Sequence, residues 1–93
     1  MPLTQDERAL HAFAIKRIQA GELPDQAPKA IWGGNGGGDP CALCGKPITP
    51  KDVEYEMQDP VDRVFLFHIR CHALWQLALP GSGWRAASRD LEQ

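Results

Sequence analysis

Cys41-Ala42-Leu43-Cys44-Gly45 and His68-Ile69-Arg70-Cys71, with 23 residues between Cys44 and His68, are the two stretches that decide how this chain is read. In the first, two thiols three positions apart flank a tight turn, so both sulfurs can meet one ion while backbone N–H groups point at them. Gly45, directly after the second cysteine, accepts the positive φ that such a knuckle uses. In the second, an imidazole and a thiol three positions apart fall on one face at the mouth of a helix. Cys41, Cys44, His68 and Cys71 together make a tetrahedral Cys3His set, a full complement for one structural zinc ion with no corner left for water. The chain has 3 cysteines. A disulfide would strand one thiol, whereas a metal uses them all. His72 lies four residues from His68 and can reach the same face, but the third thiolate closes the set better. Iron or cadmium could use the same donors, because affinity order alone does not select zinc.

The spacer reads as a β-hairpin. Val53, Tyr55 and Met57 alternate with Glu54, Glu56 and Gln58, which predicts a half-buried strand. Asp59-Pro60-Val61-Asp62 has turn chemistry, and Arg63 to Phe67 is a second strand rich in β formers. Residues 69 to 79 are mostly helix formers, stopped by Pro80-Gly81.

Upstream, residues 5 to 20 predict an amphipathic helix. Thr4 and Glu7 have the spacing of a capping box and Gly21 supplies a stop. Leu10, Phe13, Ala14, Arg17 and Ile18 fall on one side, a stripe expected to dock on the metal-binding domain rather than to seek a separate partner. Residues 22–40 carry prolines at 24, 28 and 40 and the run Gly33-Gly34-Asn35-Gly36-Gly37-Gly38, a linker composition. No strand is expected before that run, and no Gly-Lys-Ser/Thr follows it, so no nucleotide is expected there. Trp32 either anchors the linker or stands exposed as a contact residue. The expected organisation is an N-terminal helix (1–21), a Gly/Pro-rich linker (22–40), a zinc-binding finger (41–80) and a flexible tail (81–93). The fold class is α+β.

Composition supports a stapled globular domain. At 93 residues the chain buries too little apolar surface to be comfortable without a staple. Hydrophobic residues make up 43% and charged ones 24%, an ordinary globular balance. The formal net charge is −2, and three thiolates around a divalent ion add no positive charge. Binding to nucleic acid draws on clustered Lys and Arg, whereas the hairpin carries Asp52, Glu54, Glu56, Asp59 and Asp62 against Lys51 and Arg63. Arg8, Lys16 and Arg17 on the first helix, with Arg70, Arg85 and Arg89 later, are the available phosphate contacts. No segment has the length of a membrane span, and Met1 to Glu7 lacks the basic start and apolar core of a signal peptide, so the protein is expected in the cytoplasm.

The string Cys41-x2-Cys44-Gly45-Lys46-Pro47-Ile48, the 23-residue gap and Phe67-His68-x2-Cys71 resembles the first zinc-binding half of a LIM domain and, more broadly, a treble-clef finger. The resemblance covers residues 41 to about 79. The overall layout, with an N-terminal helix, the Trp32-Gly33-Gly34 linker and this finger, is also similar to short bacterial zinc-binding proteins of uncharacterised function. The LIM resemblance implies a knuckle, hairpin and helix around zinc held by Cys41, Cys44, His68 and Cys71, serving as a docking platform. A LIM domain continues into a second cysteine-rich module. Here Ala73-Leu74-Trp75 follows and no cysteine remains.

The expected role is thus a non-catalytic protein-interaction or regulatory module, meeting a protein partner or a second copy of itself through the N-terminal helix, Trp32, Trp75 or Trp84. The alternative is a nucleic-acid-binding regulator. A metal-dependent nuclease of the His-Asn-His type is a lesser alternative: it needs a general-base histidine on the first hairpin strand and an open metal position, and Val53 to Met57 contains no histidine.

Overall fold

Thr4 starts the first helix as the sequence predicts. The Thr4 N–H donates to Glu7 Oε1 (2.9 Å) and the Glu7 N–H donates to Thr4 Oγ1 (3.1 Å), so two otherwise orphaned donors satisfy each other. Asp6 and Glu7 in the first turn and Lys16 and Arg17 in the last complement the helix dipole. This helix, α1, spans Gln5–Gln19 and ends where Gly21 takes a φ of 78°. The computed structural model describes residues 3–80. The expected tail 81–93, with Trp84, lies outside them.

The stripe on α1 docks inward. Ala14 and Ile18 are buried, and Leu10 and Ile15 pack against the same core. They meet α2, Ile69–Ala78. Phe13 is left half exposed with the Arg17 guanidinium over its ring at 5.5 Å.

The hairpin forms from β2, Val53–Gln58, and β3, Val64–His68, antiparallel, with Tyr55 opposite Phe67 and Met57 opposite Phe65. Asp59 organises its turn. One carboxylate oxygen accepts the N–H groups of Val61 (3.1 Å) and Arg63 (2.7 Å), and the other accepts Arg63 Nε at 2.7 Å. Burial alone would push this carboxyl up, but the Arg63 guanidinium and those backbone donors hold it below the usual aspartate range.

The stretch 22–40 is not only a linker. Ala30–Asn35 forms a strand, β1, antiparallel to β2, so the sheet has three strands in the order β1-β2-β3. Ala30-Ile31-Trp32-Gly33-Gly34-Asn35 lacks apolar alternation, and its pairing is driven by backbone groups already presented by β2. Ahead of β1, Leu23 and Pro24 are buried, and the Pro24 carbonyl accepts Trp75 Nε1 at 2.9 Å. After it, Gly36 is a close-approach glycine: a Cβ there would lie 2.2 Å from the Ile48 carbonyl oxygen. The glycine run thus packs the chain against the segment that leaves the knuckle.

One face of the sheet, carrying Met57 and Phe67, packs under α2, where Phe67 stacks on Trp75 at 5.8 Å. Leu23, Leu43, Ile48, Leu74 and Ala78 complete the core. Among the described residues, no helix is long and apolar enough to cross a membrane.

Candidate metal centre

Four side chains from three places in the fold converge. Cys41 and Cys44 come from the turn after residue 40, His68 ends β3, and Cys71 sits in the first turn of α2. One ligand atom from each lies within 4.8 Å of all the others. The group can hold one metal ion, and three sulfurs with one imidazole nitrogen are the donor chemistry of a closed tetrahedral site.

The knuckle is built by backbone. Cys41 N–H donates to the Lys46 carbonyl (2.9 Å) and Gly45 N–H to the Cys41 carbonyl (3.0 Å), with Gly45 at a φ of 77°. Pro40 and Pro47 face each other across its base in an antiparallel bridge. The Leu43 N–H points at Cys41 Sγ, 3.4 Å away. Ala42 N–H donates to the Leu66 carbonyl (2.7 Å), fastening the knuckle to the outer edge of β3, and an Arg17 guanidinium nitrogen of α1 donates to the Ala42 carbonyl.

His68 is oriented for ligation. Its Nδ1 is 3.4 Å from Cys44 Sγ, and its Nε2 is 3.2 Å from the Pro47 carbonyl oxygen. A carbonyl only accepts, so Nε2 carries the proton and Nδ1 keeps its lone pair toward the sulfurs. Asp52 Oδ2 stands 3.7 Å from Nε2 and is itself fixed by the Thr49 N–H and hydroxyl, both at 3.0 Å. These Thr49 bonds lead in holding the Asp52 carboxyl below its ordinary range. The sequence reading missed Pro47 and Asp52 as orienting groups. Thr49-Pro50-Lys51-Asp52 has turn spacing, but nothing in it says which histidine it faces.

The thiols are mutually dependent. A hydrogen bond from Cys71, helped by the backbone N–H groups of Cys44, His68 and Leu43, holds Cys41 down to about 4 against the effect of burial. Cys71 is pushed far up, because its thiol donates to Cys41, it is buried, and the charges of Cys41 and Cys44 repel a further thiolate. A full set of thiolates therefore needs a cation between the sulfurs. Cys41 and Cys71 are buried, and Cys44, His68 and Cys71 line a cleft of about 640 Å³ together with Lys46, Asp52 and Arg70.

His72 takes no part in the cluster and does not point to solvent. It is buried among Tyr55 (5.0 Å, edge-on), Trp75 (5.5 Å) and Phe67 (5.9 Å), and its Nε2 has no hydrogen-bond partner among the described residues. Burial holds its imidazole below the ordinary histidine range. Trp32 is 51% exposed, whereas Trp75 is fully buried and so cannot serve as the surface contact the sequence suggested. Arg17, a candidate phosphate contact, is taken up by Ala42, Glu22 (3.0 Å) and Phe13. No family model matches the chain, and neither a curated protein nor a solved structure matches it.

Proposed function

We propose that this chain is a zinc-stabilised interaction module of the treble-clef kind, in which one zinc ion held by Cys41, Cys44, His68 and Cys71 is structural. The observation that carries this reading is the mutual approach of the four ligand atoms within 4.8 Å. The order of knuckle, hairpin and helix, and the tautomer imposed on His68 by Pro47, support it. Zinc supplies cross-linking between the knuckle and the β3–α2 junction, and structural zinc contributes apparent binding energies on the order of 10 kcal/mol. Four protein ligands leave no position for water or substrate, which speaks against metal catalysis.

Acidic side chains at Glu54 and Glu56 and the engagement of Arg17 speak against a phosphate backbone as ligand. The half-exposed Ile31 and Trp32 speak for a protein surface. Elemental analysis of the reduced protein, paired with the absorption spectrum of its cobalt(II) form, tests the metal assignment. One ion per chain with strong sulfur-to-metal bands in the near ultraviolet is expected. Absence of a stoichiometric metal would overturn the reading.

A further inference from the structure

The two edges of the sheet are treated differently. The outer side of β3 is fastened to the knuckle through Leu66 and Ala42. Among the described residues, β1 pairs with β2 on one side only, and five of its six residues are exposed. The Gly36 N–H donates to the Asp52 carbonyl (3.1 Å), which sets the alternation along β1. Trp32 and Gly34 turn their backbone groups to β2, and Ile31, Gly33 and Asn35 turn theirs outward. Folded proteins guard such an edge with charge, proline or cover. Ala30–Asn35 contains neither a charge nor a proline.

We propose that β1 is a homodimer interface, pairing antiparallel with β1 of a second copy about a two-fold axis at Gly33, so that one sheet runs through both chains. In this register Ile31 faces Asn35 of the second copy, and the outward N–H and C=O groups of Ile31, Gly33 and Asn35 all gain partners. Trp32 then faces Gly34 of the second copy in a closely spaced pair, on the sheet face turned away from α2. The two are complementary. A Cβ built on Gly34 meets nothing within 4 Å, while Trp32 is 51% exposed, and an aromatic ring laid over an edge glycine is a known stabilising device. On the other face Gly33 is already covered by Tyr55 of its own chain, whose ring comes to 3.4 Å from a Cβ position.

A second copy fits this edge better than a charged peptide. The strand is neutral, so two copies bring no like charges together, and Glu54 and Glu56 stay one strand away from the axis. The inference rests on the interaction role proposed above and names its partner.

The test is sedimentation and light scattering of the metal-loaded full chain over a concentration series, with hydrogen exchange read at single amides. The expected result is a concentration-dependent dimer in which the Ile31, Gly33 and Asn35 amides gain protection. Trp32→Lys and Gly34→Val should each raise the dimer dissociation constant roughly tenfold or more. The Gly34 variant has room for its side chain in the monomer, so its fold and metal content should be unchanged. A wild-type chain that stays monomeric up to its solubility limit overturns the proposal. So does a dimer that neither variant weakens, or protection of these amides only when an extended peptide is added. Metal content measured on the same samples keeps the two ideas apart. A monomer that retains its ion counts against this interface alone, whereas a chain without metal counts against the zinc module.

Discussion

Cys71 and His72 are adjacent, yet packing sends them to different tasks. Cys71 joins the sulfur cluster, and His72 lies in an aromatic cage with Nε2 unpaired among the described residues. Cys71→Ala should therefore abolish stoichiometric metal. His72→Phe should keep it and leave stability equal or higher by up to about 1 kcal/mol, because a buried polar atom without a partner is removed. Metal analysis and urea unfolding of the two variants check this. Gly36 has the opposite sensitivity: with a Cβ 2.2 Å from the Ile48 carbonyl oxygen, Gly36→Ala should cost about 3 kcal/mol or more, since backbone must move. Asp59 gives a pH signature. Its folded pKa lies below the unfolded one, so its contribution is fully present above the ordinary aspartate range and is lost as pH falls through the folded value. The stability gap between wild type and Asp59→Asn, measured by urea unfolding across acidic pH, should close in that window.

At the scale of elements, α1 and the hairpin were legible because each carries its own local chemistry. Thr4 and Glu7 announce the start of α1, and the alternation of Val53 to Gln58 announces β2. Thr4→Ala should lower stability by about 1 kcal/mol, seen as a fall in Tm for the whole domain, because the capped helix is docked on α2 rather than free. β1 was not legible. Its residues have no periodic apolar pattern, and two of its six positions are glycine. What makes it a strand is the free edge of β2, a partner that exists only once the hairpin has formed. The same lesson applies to the glycine run, which reads as linker composition while Gly36 in fact seats the chain on the Ile48–Thr49 backbone.

For the whole molecule, the candidate metal centre and the apolar core are built from the same segments. Cys41 precedes Leu43 and Ile48 in the core, and Cys71 shares α2 with Leu74 and Trp75. Removing the ion with a strong chelator should therefore unfold the hairpin and α2 together. Loss of near-ultraviolet dichroism and of tryptophan burial should follow one transition. Retention of the Trp75 environment after complete metal removal would show that the hydrophobic core stands alone. Trp75 also ties the α1–β1 connection to α2 through Pro24, so the same transition should release α1.

From the sequence alone came the Cys3His grouping of Cys41, Cys44, His68 and Cys71, the hairpin and both helices, because each is encoded by local chemistry: cysteines and histidine at ligand intervals, apolar residues at periods of two or 3.6, and helix formers between cap and stop signals. Tertiary structure alone decided the third strand, the orientation of His68 by Pro47 and Asp52, the burial of His72 and Trp75, and the exposure of Trp32. These depend on contacts between segments far apart in the chain, where no local pattern says which backbone carbonyl will meet which ring, or which strand edge will be left open.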